Sequence, residues 1–256
     1  MSFLIIVVLI PARAILNALS FYILSQRKIV FKDAFKVTCI ATALNKFLFT
    51  GTGYLASSYI WRNKEISPYK AMGNFLIIEV LNVSIWLILG LYFGLRLTAR
   101  FPWVVVIFTV FFLTAVWLKR KALSIRMKPA FESFIKTGIR VLYILPLAAL
   151  NTACFVAYYF FLFKIFNYYP SIADIVKIIA VSFTVGYLSP APAGIGFKET
   201  GLVAILLEGG LLLKTAAAIA LADRVIVTLF WGVLGLCAGF DTIKEQAALR
   251  FKKKRE

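Results

Sequence analysis

The sequence predicts an all-α polytopic membrane protein made of two inverted repeats. Each repeat is a membrane span, a broken re-entrant helical hairpin and a second span, and one extra span links the two. Three observations predict this. Of the 256 residues, 62% are hydrophobic and the mean hydropathy is +0.89, which excludes a soluble domain. Residues 186–208, G-Y-L-S-P-A-P-A-G-I-G-F-K-E-T-G-L-V-A-I-L-L-E, break the apolar pattern with Pro190, Pro192, Gly194, Gly196, Gly201 and the pair Lys198-Glu199. Their apolar flanks, 178–185 and 202–207, fall short of the about 20 residues needed to cross a bilayer. Two short helices joined at membrane depth follow, and broken backbone survives there only where protein buries it or a watery cavity solvates it. The third observation is an internal echo: Asp33-x-x-Lys36 matches Asp174-x-x-Lys177, Gly51-x-Gly53 matches Gly194-x-Gly196, and Trp86-x-x-x-Gly90 matches Trp231-x-x-x-Gly235, at offsets of 141, 143 and 145. One extra crossing between the units inverts the second, and broken helices in matching positions place a site near the midplane.

In chain order, Ser2–Leu24 is the first span, although Pro11, Arg13 and Asn17 make one face unsuited to lipid. A cleaved signal peptide is the competing reading, opposed by the lack of a basic residue before the apolar run. Residues 34–61 read as a short helix, a break at 49–53 and another short helix. Ser67-Pro68 starts the next helix, and 71–95 is a full span containing Glu79 and Asn82. Residues 101–118 form the linking span and 119–136 a basic loop. Residues 137–163 are a span interrupted by Pro146 and Asn151; 170–177 lead into the broken stretch; 214–240 is the last span, with Asp223-Arg224 inside it. Residues 1–240 thus make a single membrane domain (repeat one about 2–95, linking span 101–118, repeat two about 137–240), and 241–256 a basic cytoplasmic tail. The aromatic runs at 158–161 and 166–169 read as an interfacial belt.

Sidedness follows from basic residues. With both hairpins returning, segments 25–36, 62–70, 119–137 and the tail share one side and hold 19 Lys and Arg, against 5 on the other. The N-terminus is therefore expected outside, the C-terminus in the cytoplasm and the protein in the plasma membrane. The same rule, with attraction to anionic leaflets, accounts for most of the net charge of +18, and no soluble basic module exists to bind nucleic acid. Histidine is absent and the three cysteines lie scattered in apolar segments, so neither a metal site, a cofactor nor a Ser-His-Asp site is expected.

Charges inside spans are expensive, about 2.5–3.5 kcal/mol each at a helix centre. Arg13, Lys46, Glu79, Arg140, Lys198, Glu199, Asp223 and Arg224 stand there. Structural pairing, such as Glu199 with Arg224 or Glu79 with Arg140, is one reading. A polar cavity for a charged head group is the other, and the basic majority favours an anion such as phosphate. A helix beginning near Gly196 would turn free N–H groups and a positive dipole end toward the break, and Gly194 and Gly196 would let a phosphate approach. Asn45-Lys46 before Gly51 and Gly53 would present the matching feature from the first half.

Residues 189–201, S-P-A-P-A-G-I-G-F-K-E-T-G, resemble the P-x-P-G-G-[IL]-G-x-x-E signature of the flippase-like family named for the transmembrane region of lysylphosphatidylglycerol synthase. Residues 44–53, L-N-K-F-L-F-T-G-T-G, are similar to its first-half asparagine and glycine segment, and Ala222-Asp-Arg224 resembles its late arginine motif. Pro190, Pro192, Gly194, Gly196, Glu199 and Arg224 match by position; Ala193 stands where the family usually has glycine. The resemblance implies a membrane protein that moves lipids between leaflets. Longer members carry an additional first span, whose absence fits the outside N-terminus. No aminoacyl-transferase domain follows Phe240, so synthesis of an aminoacyl lipid is not expected.

The expected function is a lipid flippase or transporter, not an enzyme, for a lipid with a charged, phosphate-bearing head. Its substrate-binding residues would be Asn45, Lys46, Gly51, Gly53, Glu79, Arg140, Pro190, Pro192, Gly194, Gly196, Lys198, Glu199 and Arg224. Its partners would be the bilayer and a phospholipid or polyisoprenyl-phosphate-linked lipid, with a homodimer or envelope-synthesis proteins as further candidates. The rivals are an intramembrane transferase using Glu199 or Asp223, and a non-transporting subunit of an envelope lipid or glycan synthesis complex.

Overall fold

A computed structural model describes residues 1–47, 53, 68–98, 141–189, 191 and 194–253. The expected linking span 101–118, the basic loop, most of the first break and of the short helix after it, and the site candidates Gly51, Arg140, Pro190 and Pro192 lie outside the described residues. Those described form seven helices: α1 (Ser2–Leu24), α2 (Phe31–Phe47), α3 (Pro68–Thr98), α4 (Val141–Ile165), α5 (Ile172–Leu188), α6 (Phe197–Glu208) and α7 (Leu213–Lys253). Four of them contain stretches long and apolar enough to cross a membrane: Ser2–Leu24, Lys70–Gly90, Val141–Ile165 and Leu213–Phe240. The chain is a multi-pass membrane protein.

The helix ends have local causes. α5 is capped by Ser171, whose hydroxyl accepts from the Asp174 N–H at 3.2 Å, and Asp174 lies in the first turn, where the helix dipole favours an anion. It stops at Leu188 because Ser189, extended at φ −69° and ψ 139°, precedes a proline, which disfavours helical backbone in the residue before it. α6 is preceded by the N-cap Gly196, whose φ of +82° suits glycine. The Gly196 N–H donates to Glu199 Oε2 at 2.7 Å, and the Thr200 hydroxyl donates to the Gly196 carbonyl at 2.6 Å. At 17 and 12 residues, α5 and α6 are each too short to span the hydrocarbon. α7 continues beyond the expected end of its span to Lys253, so much of the basic tail is helical.

The helices pack in a woven order. α1 lies along α4, α3 against α5, α2 against α7, and α6 between α5 and α7. Two of these contacts are set by glycine. Gly90 of α3 faces the Ala180 carbonyl and Thr184 of α5 so closely that a side chain there would collide. Gly235 of α7 meets Ala43 and the Cys39 carbonyl of α2 in the same way. Small residues allow this approach between membrane helices, where lipid supplies no hydrophobic drive to associate. The Thr184 hydroxyl adds a bond to the Trp86 carbonyl at 3.3 Å.

The main core gathers on α4: Phe155, Tyr158, Tyr159, Leu162 and Phe163 are buried against Ile175, Ile179, Leu202 and Leu206. The expectation of an interfacial belt at 158–161 is therefore corrected. Tyr158 and Tyr159 are 1% and 0% exposed, because the other helices close over their side of α4, and only Phe160 of that run faces outward. Exposed Leu4, Val8, Leu142, Leu229, Val233 and Leu236 give the outer surface the apolar character that hydrocarbon requires.

Candidate functional site

A cavity of about 160 Å³ opens between the helices, and each of the seven described helices contributes to its wall. Charged side chains reach it from α1 (Arg13), α2 (Lys46), α3 (Glu79), α6 (Lys198) and α7 (Asp223 and Arg224). Trp86, Phe155, Phe183 and Trp231 supply apolar wall between them. At about 30 Å³ per water molecule, the space suits several waters or a small polar head group, not a whole lipid.

Three groups of contacts hold the charges. In the first, Lys198 Nζ lies 2.6 Å from Asp223 Oδ2, and the Tyr158 hydroxyl donates to Asp223 Oδ1 at 3.0 Å. The side chains are 15% and 3% exposed, and the ammonium also lies 4.7 Å from the centre of the Phe183 ring. In a buried pair this short, the mutual attraction and the further donor on the carboxylate offset the cost of taking both groups out of water. In the second, Arg224 Nη1 is 3.4 Å from Glu199 Oε1, an ionic contact without hydrogen-bond geometry, while Oε2 of the same carboxylate takes the Gly196 N–H. In the third, the Tyr187 hydroxyl donates to Glu79 Oε1 at 3.2 Å.

A chain of amides ties three spans together. Arg13 Nε donates to Asn151 Oδ1 at 3.1 Å, Asn151 Nδ2 to Asn82 Oδ1 at 3.0 Å, and Asn82 Nδ2 to Asn17 Oδ1 at 3.3 Å. It starts and ends on α1, because Arg13 and Asn17 are one turn apart on the same face. The Arg13 guanidinium also stacks 4.0 Å over the Phe155 ring. Arg13 and Lys46 differ from the other cations: among the described residues neither has a carboxylate within ion-pair distance.

The predicted site residues divide into two sets. Asn45, Lys46, Glu79, Lys198 and Arg224 line the cavity. Gly53, Gly194, Gly196 and Glu199 instead shape the breaks beside it. The Gly53 N–H donates to Asn45 Oδ1 at 2.9 Å, tying the end of α2 to the residues after it. Gly194, at φ +66°, lies so near α5 that a side chain would come within 2.7 Å of the Gly186 carbonyl. The N-terminus of α6 does not offer an empty anion site at its cap, since the Glu199 carboxylate takes that donor. Site membership beyond these predictions comes from Arg13, Asn17, Asn82, Asn151, Asp223 and Tyr187. Arg13 and Asp223 carry a sequence signal as charges within spans; the hydroxyl of Tyr187 carries none in so aromatic a chain. Among the described residues no group of acidic, cysteine and histidine side chains could hold a metal ion.

A family model described as Lysylphosphatidylglycerol synthase TM region matches residues 1–235. No curated protein and no solved structure matches the chain.

Proposed function

The chain belongs to the family of the lysylphosphatidylglycerol synthase TM region, which relates it to lipid handling, and we propose that it is a flippase that carries a phosphate-bearing lipid head group between leaflets. The observation that carries this reading is the cavity: four cations and three carboxylates cluster at and beside one small polar space inside an otherwise apolar helix bundle. Such groups are tolerated at membrane depth where they face a hydrated path or one another. The head would enter the cavity while the acyl tails remain in the bilayer, matching a space too small for the whole lipid.

The two halves act in this reading as inverted repeats, with α5 and α6 as a re-entrant hairpin. Two matched contacts support it. Gly90 faces Ala180 and Thr184, whereas Gly235 faces Cys39 and Ala43, and the latter two precede their counterparts by the same 141 positions. Gly53 against Asn45 and Gly194 against Gly186 repeat that spacing, which matches Gly194 to Gly53 instead of to Gly51. Each half thus lends its last helix to the other, so rocking one half moves both sides of the cavity, as alternating access requires. No nucleotide-binding motif occurs in the sequence, so movement is downhill or coupled to an ion. Transport is favoured over lipid chemistry because Asp223 is held by Lys198 and Tyr158, and Glu199 by Arg224 and a backbone N–H.

The test is purified protein in liposomes containing tail-labelled phospholipid. Exchange of intact lipid between leaflets, above protein-free liposomes, is expected; chemically altered lipid would instead support the transferase, and neither would remove the transport reading. The proposed orientation in the plasma membrane places the end of α7 in the cytoplasm. A cysteine replacing Gln246 is expected to react with an impermeant thiol reagent only from that side, and labelling from outside would reverse the topology.

A further inference from the structure

Taken together, the partners of the cavity's charges say which head group it accepts. Glu79 is engaged by Tyr187, Asp223 by Lys198 and Tyr158, and Glu199 by Arg224 and the Gly196 N–H. Asp223 and Glu199 thus each face a cation, and Glu79 accepts from a neutral hydroxyl. The cations are unequal: Lys198 and Arg224 each have a carboxylate, but Arg13 spends its Nε on the neutral amide of Asn151, and Lys46 has no hydrogen bond or ion pair among the described residues. Lys46 lies within electrostatic reach of Arg13 and Lys198 and of the carboxylates Asp223 and Glu79, so three cations bear on one region against two carboxylates. The Thr38 hydroxyl, which also lines the space, is buried without a partner.

We propose that Arg13 and Lys46 form an anion subsite that selects lipids whose head group bears net negative charge, with the lipid phosphate between the two side chains, and that zwitterionic and cationic head groups are rejected. This rests on the flippase reading above and sharpens it. A phosphodiester brings one negative charge and a phosphomonoester up to two, and either supplies the acceptors that a guanidinium and an ammonium need. An amino head group would bring a cation to a wall already in cationic excess, and the repulsion discriminates against it without a specific contact. Lys46 sets the selectivity, because a point charge on a flexible stem responds to net charge. Arg13, held by Asn151 and stacked on Phe155, positions the phosphate.

The experiment compares tail-labelled phosphatidylglycerol, phosphatidic acid and phosphatidylethanolamine in the same proteoliposomes, with retention of the three lipids by the purified protein measured by native mass spectrometry. The wild type is expected to exchange and retain the two anionic lipids at least about tenfold better than phosphatidylethanolamine, a lower bound for bringing its ammonium against the excess of cations. Lys46→Gln, which leaves no buried partner unpaired, is expected to remove most of that preference at unchanged thermal stability. Arg13→Lys is expected to keep the preference with weaker retention. Comparing phosphatidic acid with phosphatidylglycerol tells whether the monoester or the diester fits better. Equal exchange of all three lipids by the wild type overturns the selectivity and leaves the flippase reading standing. Absence of exchange with selective retention that depends on Lys46 removes the flippase and upholds the subsite. Equal retention by wild type and Lys46→Gln overturns the subsite.

Discussion

Asp223→Leu is expected to lose about 3–5 kcal/mol of stability, seen as a large drop in the thermal unfolding midpoint in detergent and in monodisperse yield. The substitution leaves the Lys198 ammonium, 15% exposed, without its carboxylate, and the Tyr158 hydroxyl without its acceptor. Removing both charges together, as Lys198→Met with Asp223→Leu, is expected to restore most of the loss, since a buried pair replaced by apolar side chains of similar size is often neutral. The double variant separates two roles. Restored folding with lost leaflet exchange assigns the pair to transport as well as to structure, whereas restored folding with normal exchange makes it structural. An Asp223→Leu protein as stable as wild type would mean that the pair is not the buried anchor its geometry describes.

Gly194→Val is expected to abolish leaflet exchange, whereas Gly196→Ala, two residues away, is expected to reduce it only mildly. Both glycines have positive φ, +66° and +82°, where a side chain costs about 1–3 kcal/mol. Their surroundings differ. A Cβ at Gly196 meets nothing within 4 Å, so the backbone penalty is the whole effect. A Cβ at Gly194 comes within 2.7 Å of the Gly186 carbonyl, and Gly186 in turn lies beneath the stem of Lys198. Pushing the chain away at Gly194 shifts the segment that carries Lys198 toward Asp223. The readout is exchange rate beside unfolding midpoint; equal effects from the two variants would remove Gly194 as a packing point.

The charged site was only partly legible in the sequence. Helix positions and the place of the break follow from chain-local causes, so Ser2–Leu24 coincides with its expected bounds, and α6 starts after its N-cap Gly196, as the glycine and Glu199 suggest. The pairing of Glu199 with Arg224 was one of the readings open from charge content alone. The bonds of Lys198 and of Tyr158 to Asp223 are not legible there, because the aromatic run at 158–161 has the composition of an interfacial belt whether it faces lipid or core. Which side of α4 is covered depends on α5, α6 and α7, and no local pattern reports that.

The amino-acid sequence by itself determined a helical membrane protein, the length of its spans, the proline and glycine break before α6, and the presence of more cations than carboxylates within the bilayer. These follow from hydrophobic length, from the backbone limits of Pro and Gly, and from the charge of each side chain, none of which needs a distant partner. Only the tertiary structure decided which charges neutralise one another and which face the cavity without a carboxylate. Lys198 finds its partner 25 positions away, Tyr187 is 108 from Glu79, and Arg13 is 138 from Asn151. Electrostatic energy falls with distance in space, not along the chain, so the helix packing that brings α1, α2 and α4 together turned Arg13 and Lys46 from two costly residues into one candidate site.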